Sequence, residues 1–176
     1  LGAVAAVLMY LEFPIPIMPA FVKLDVSELP ALIASFAYGP VSGILVCLIK
    51  NLIKLPSTST AAVGELFNFV MGALFVGVAG LIYKRNKTRK GAIVGALLGA
   101  LVMAVVSVPY NYFIVYPAYV VMYHLPLDAI IGMYQAINPN VNGLLACLLV
   151  FNLPFTFVKG ALDAALCFLV YKPLSP

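Results

Sequence analysis

Lys159 lies in the run Asn152-Leu-Pro-Phe-Thr-Phe-Val-Lys-Gly-Ala-Leu-Asp163, inside an apolar stretch that continues to Tyr171. An ammonium group at mid-helix in lipid costs about 2.5–3.5 kcal/mol. A chain that keeps it must supply a counter-charge, a solvated pocket or a polar ligand. Asp163, one helical turn on, offers an intrahelical pair. Asn111 and Asn152 offer a second chemistry: amides donate and accept together, and an ammonium donates to a carbonyl. Such a set suits the polar edge of a flat heterocycle. Further polar side chains recur in apolar surroundings: Lys23, Asp25, Lys50, Asn51, Lys54, Glu65 and Asn68. Lys50 and Lys54 read as snorkelling residues near a helix end. Glu65 either complements a helix start or faces a pocket, and Asn51 stands between the same two roles. His124 is alone in a loop and suggests no site.

Several chemistries are excluded. The chain has no HExxH, no GxSxG and no P-loop, so it reads as a non-enzyme that cannot itself hydrolyse ATP by the P-loop route. Nor does it carry an array of carboxylates in facing spans for proton coupling. As a transport protein it needs energising partners. Cys47, Cys147 and Cys167 are scattered without metal-ligand spacing and read as three buried free thiols.

The elements that hold these residues must be membrane helices. The chain has 176 residues, 64% hydrophobic and 9% charged, with mean hydropathy +1.11. Soluble domains carry roughly 25% charged residues. A span takes about 20 apolar residues, which leaves room for five or six spans and no soluble domain. The expected architecture is all-α, an integral membrane bundle forming a single domain over residues 1–176. Leu1–Leu11 reads as the remainder of a first span truncated at its N-terminus, not as a signal peptide. The segment 12–26, with Pro14, Pro16 and Pro19, cannot be helix interior. Asp25 or Ser27 is placed to cap the next helix, and Glu28 to favour its dipole. Gly39-Pro40 argues for a break between helices over Glu28–Tyr38 and Pro40–Lys54. Spans follow over 61–83 and 91–112, the latter continuing as an aromatic stretch to Tyr123. A loop with a short amphipathic or re-entrant helix covers 124–142. The last span, 143–171, is expected to be interrupted by Pro154. Small residues at Gly91, Gly95 and Gly99, and at Gly72, Gly77 and Gly80, predict close helix packing within the chain. For Gly2 and Ala6, packing within the chain and docking on another subunit both remain open.

Charge sets the topology. Five of the ten basic residues fall between Lys84 and Lys90, and the positive-inside rule places them in the cytoplasm with Lys172. Six spans then satisfy both sites, with both termini cytoplasmic. Asp25, Asn51, Glu65, Asn111, Asn152 and Lys159 gather toward the outer side. Phe21, Tyr110, Tyr112, Phe113, Tyr116, Phe151 and Phe155 fall at the same level, as an interfacial belt or in part as a flat-ring pocket.

The Pro-rich segment running into Lys23-Leu-Asp-Val-Ser-Glu-Leu-Pro30, then Tyr38-Gly-Pro-Val-Ser-Gly43, Lys50-Asn51, Gly64-Glu-Leu-Phe-Asn68, Asn111-Tyr-Phe113 and Pro154-Phe-Thr-Phe-Val-Lys-Gly160 together resemble the riboflavin-binding S components of energy-coupling factor transporters. The resemblance covers nearly the whole chain. It implies a six-helix protein of the bacterial plasma membrane that captures riboflavin at the outer face, under a first loop containing Phe21, Lys23, Leu24 and Asp25. It assigns the pyrimidine edge of the flavin to Asn111, Thr156 and Lys159, with Asn152 as a substitute for Thr156. Asn51 and Glu65 join the candidate pocket. It implies a transmembrane coupling subunit and two cytoplasmic ATPases as partners, with Gly2 and Ala6 in the docking position. Riboflavin is then cargo, and no cofactor or metal is expected. The alternatives are an S component for another vitamin, such as thiamine, and a structural membrane protein in which Lys159 and Asp163 are only a buried pair.

Overall fold

The protein is described by a computed structural model that covers residues 1–14, 23–57, 62–124 and 126–174. Its elements run α1 (Gly2–Tyr10), β1 (Phe13–Pro14), β2 (Lys23–Leu24), α2 (Glu28–Tyr38), α3 (Pro40–Lys54), α4 (Val63–Arg85), α5 (Arg89–Tyr110), α6 (Tyr116–Tyr123), α7 (Leu127–Gln135), α8 (Leu144–Cys147) and α9 (Leu153–Leu174). β1 and β2 form a two-residue antiparallel ladder, Phe13 opposite Leu24 and Pro14 opposite Lys23. Everything else regular among the described residues is helical. Four helical stretches are long and apolar enough to cross a bilayer: Pro40–Ser57, Val63–Arg85, Arg89–Met122 and Leu144–Val170. The chain is thus a multi-pass, all-α membrane protein. The helices α1 and α2, with 9 and 11 residues, are shorter than a standard span.

The break at Gly39-Pro40 is where the residues place it. Gly39 ends α2 at φ 106°, a conformation that strains an L side chain, and Pro40 opens α3 at its first turn, where a missing N–H costs nothing. Thr88 starts α5 by accepting the Gly91 N–H at 3.0 Å. Ser27, by contrast, caps nothing with its side chain; it and Asp25 serve the site described below.

Prolines 109, 117 and 154 do not end their helices. α5 runs into α6 through a π-helical turn, Asn111–Val115, and α8 into α9 through another, Leu148–Asn152. Pro117 and Pro154 each lie two residues past such a turn. A proline ring clashes with the carbonyl four residues before it, which is Phe113 in one case and Val150 in the other. Each of those residues is the middle of its five-residue π turn. Widening the turn moves the carbonyl aside and keeps the helix continuous. The expected interruption at Pro154 is therefore a local widening.

The main core joins α1 to α5 and α9, around Leu32, Phe75, Val76, Ala79, Ala96, Ala100, Met103 and Cys167. A second core, around Tyr116, Ile130, Tyr134, Leu144 and Leu148, joins α6, α7, α8 and the π turn after α8. Cys47, Cys147 and Cys167 are free and buried. The outward faces carry Leu45, Leu52, Leu66, Leu81, Val105 and Leu169, side chains that only an apolar solvent accommodates in such density. The small-residue faces of α4 and α5 pack on each other. A Cβ on Gly99 would stand 2.5 Å from the Phe75 carbonyl oxygen, so the two backbones are in direct contact. Gly99→Ala is expected to lower stability by about 1–3 kcal/mol, read as an earlier thermal transition in detergent. Gly132→Ala on α7, where an added Cβ meets nothing within 4 Å, is the matched control and leaves the transition where it is or raises it slightly.

Candidate functional site

The N-terminal half of α4, the C-terminal half of α5 with its π turn, and the N-terminal half of α9 converge on one cavity of about 180 Å³. The basic turn between α4 and α5 lies at the other end of the bundle, since Glu65 and Arg85 are separated by roughly 30 Å of helix at 1.5 Å per residue. Met9, Glu12, Asp25, Glu28 and Lys54 complete the cavity from the first third of the chain.

Its floor of charge is a closed ring of buried ions. Lys50, fully buried, donates to Glu28 Oε1 at 2.7 Å and to Ser27 Oγ at 2.6 Å. The Ser27 hydroxyl and backbone N–H both donate to Asp25 Oδ1, at 2.5 and 2.8 Å. Lys159 Nζ then stands 3.5 Å from Asp25 Oδ2 and 3.4 Å from Glu28 Oε2. Two carboxylates and two ammonium groups thus offset one another through Ser27. Burial pushes the Asp25 carboxyl up. Lys159, Lys50 and the two Ser27 hydrogen bonds outweigh this and bring it down to about 2, so it stays charged at any physiological pH. A second pair, Lys54 to Glu12 at 2.9 Å, ties α3 to the end of α1; the Lys54 ammonium also lies 5.7 Å from the centre of the Tyr10 ring.

These contacts correct three expectations. Lys50 is not a snorkelling residue but a fully buried ion, and Lys54 is 8% exposed and paired. Glu28 does not merely complement a helix dipole; it bridges both lysines. Lys159 finds its partners on α2 and the segment before it rather than at Asp163. Asp163 is buried, and its carboxylate oxygens accept no hydrogen bond among the described residues. None of these long-range pairs has a local sequence signal, because α2, α3 and α9 meet only through the fold.

Six expected site residues line the cavity together: Asp25, Glu65, Asn111, Asn152, Thr156 and Lys159. The two π turns supply both asparagines, Asn111 opening one and Asn152 closing the other. Asn51 is buried but lies outside the lining; it donates to the Cys47 carbonyl at 2.7 Å and reaches Asn68 at 3.5 Å. Leu24 also lies outside the lining and is taken up in the β ladder. The backbone of Lys23 belongs to the same ladder, its side chain falls outside the described residues, and so does the whole of Phe21. Gly2 packs on α3, with an added Cβ 2.7 Å from Ile49 Cγ2, and Ala6 is buried, so α1 uses its small face within the chain. Sequence reasoning missed Glu28, Met9 and Tyr119; of the aromatics it left between an interfacial belt and a flat-ring pocket, Tyr116 and Phe155 line the cavity. Met71, Met103, Phe67, Val115 and Phe155 add an apolar, polarisable lining. Amides, the Lys159 ammonium and this apolar surround suit a flat ligand with one polar edge.

Lys50→Met should cost about 3–5 kcal/mol of stability, because it leaves the Glu28 carboxylate without its closest partner. Adding Glu28→Gln should recover part of that loss, a non-additivity measurable by thermal unfolding in detergent.

The sequence profile described as "ECF transporter, substrate-specific component" matches residues 1–171. "Riboflavin transporter RibU" of Staphylococcus aureus (strain TCH60) is 34% identical over 99% of this chain and 86% of its own length. "Riboflavin transporter FmnP" of Bacillus subtilis (strain 168) is 34% identical over 100% of this chain and 88% of its own. A solved structure described as the S component of a bacterial ECF transporter superposes with TM-score 0.77 at 33% identity, covering 99% of this chain and 90% of that one. A cavity set in a multi-pass helical bundle thus meets similarity in sequence and in fold over nearly the whole chain, and the chain belongs to the family of substrate-specific components of ECF transporters.

Proposed function

We propose that this chain captures riboflavin for an ATP-driven importer. The observation that carries the proposal is the cavity where Asn111, Asn152, Thr156 and Lys159 meet, in a chain 34% identical over its length to proteins named riboflavin transporters. A flavin has a polar edge of carbonyls and N–H, an apolar dimethyl edge and a polyol tail. The amides and the ammonium answer the first, and the methionines and aromatics the second. Asp25 and the neighbouring backbone of residues 23–25 are placed to answer the tail, and Glu65 completes the polar lining.

Charge favours a neutral ligand. Asp25 and Glu28 are already matched by Lys50 and Lys159, and Glu12 by Lys54. A cationic vitamin such as thiamine would compete with these lysines for Asp25, Glu28 and Glu12. Counting α1 and α2 as short spans gives six, in one membrane domain. The basic turn Lys84–Lys90 then lies in the cytoplasm, both termini lie with it, and the cavity lies toward the outside. Energy comes from partners, a transmembrane coupling subunit and two ATPases. Docking by way of α1 belongs to the same reading. With Gly2 and Ala6 engaged against the rest of the chain, a partner would meet that helix on the face of Val4 and Val7, which are 53% and 60% exposed.

Protein purified in detergent should quench the fluorescence of added riboflavin at stoichiometric amounts, with an excess of thiamine having no effect. A preparation that neither carries nor quenches flavin sinks the proposal. Lys159→Ala and Asn111→Ala should each weaken riboflavin binding about tenfold or more, as expected for losing a buried hydrogen bond to a ligand.

A further inference from the structure

Tyr134 belongs to α7, the short helix between the long spans, and it does not line the cavity. It is nevertheless fully buried. Its hydroxyl donates to Asn152 Oδ1 at 2.8 Å and shares a short hydrogen bond with the Tyr116 hydroxyl, while Asn152 Nδ2 points to that same Tyr116 oxygen at 3.4 Å. The three groups close a ring in which each donates once and accepts once. Reversing the Asn152 carboxamide reverses the direction of the ring without breaking it. In both senses the ring consumes one amide proton, fixes the plane of the carboxamide and leaves one N–H available to the cavity. Burial, above all, raises the pKa of the Tyr134 phenol well beyond its ordinary value, so it keeps its proton.

The geometry points to Tyr134 as a positioning residue for ligand recognition: it holds Asn152 so that the remaining amide N–H selects a ligand with a hydrogen-bond acceptor at that place. The argument rests on the riboflavin reading for the identity of the acceptor, a ring carbonyl or ring nitrogen at the polar edge. The ring is buttressed from both sides. The Tyr134 and Phe151 rings stand 5.3 Å apart, and Gln135 Nε2 donates to the Val141 carbonyl at 3.0 Å, tying α7 to the segment that enters α8. Asn152 itself closes the π turn. Its side chain is thus set by two independent devices, a widened backbone turn and a two-tyrosine clamp. Orienting a donor in advance removes a reorganisation cost from binding and makes the site selective against ligands that lack the acceptor.

The test uses Tyr134→Phe, which removes only the hydroxyl, together with Asn152→Ala and the double variant. Binding of riboflavin is compared with that of 2-thio- and 4-thioriboflavin, in which one ring carbonyl becomes a poorer acceptor. Tyr134→Phe is expected to weaken riboflavin binding about tenfold, to reduce the preference for riboflavin over one of the two thio analogues, and to have no further effect once Asn152 is alanine. Unchanged affinity, or an equal loss for all three ligands that adds in full to Asn152→Ala, overturns the inference while leaving riboflavin capture standing. Wild-type protein that binds none of the flavins overturns the reading beneath it. Should Tyr134→Phe fail to fold, Tyr116→Phe opens the same ring from its other hydroxyl and must give the same loss of preference.

Discussion

The ring of Lys50, Glu28, Lys159 and Asp25 is what the rest of the bundle is arranged around. Four charges removed from water cost several kcal/mol each unless they are paired and hydrogen-bonded. Satisfying them requires α2, α3 and α9, together with the segment before α2, to meet at one depth. Ser27 is the smallest member and links the two halves, accepting from Lys50 while donating to Asp25. The short α2 and the break at Gly39 follow from the same need, because a continuous helix through 28–54 would carry Glu28 and Lys50 far apart along one axis.

The second organising device is the pair of π turns. Two different long helices each meet a proline, and each widens over five residues just before it. The asparagine of each turn faces the cavity. A helix defect that would be a liability in a plain span here supplies the polar groups that an apolar lining lacks. The ion ring and the π turns divide the work: one fixes the charge state at the cavity, the other its directional hydrogen bonds.

Much of this was legible in the sequence, and the rest was not for physical reasons. Composition and hydropathy gave the membrane class, since no soluble core accommodates so few charges. Gly39-Pro40 gave the helix break to the residue, because both residue types have strong local conformational preferences. The grouping of Asn111, Asn152, Lys159, Asp25 and Glu65 followed from depth along the spans, and Thr156 joined it through the family resemblance. What stayed hidden were pairings that depend on which faces meet. Lys50 looked like a helix-end lysine because nothing within four residues answers its charge. Asp163 stood beside a ligand as a candidate partner for Lys159 because it was the nearest acid along the helix. Pro154 looked like a break because the compensating turn is set by packing as well as by the proline.

The contact between Gly99 and the Phe75 carbonyl also has a mechanical meaning. Where two backbones touch, no deformable side chain remains between them to absorb load. α4 and α5 are therefore held backbone to backbone over Phe75–Ala79 and Gly95–Gly99, in the part of the pair nearer the basic turn. Any change in the spacing of the two helices there has no side chain to take it up, so the pair can shift only together.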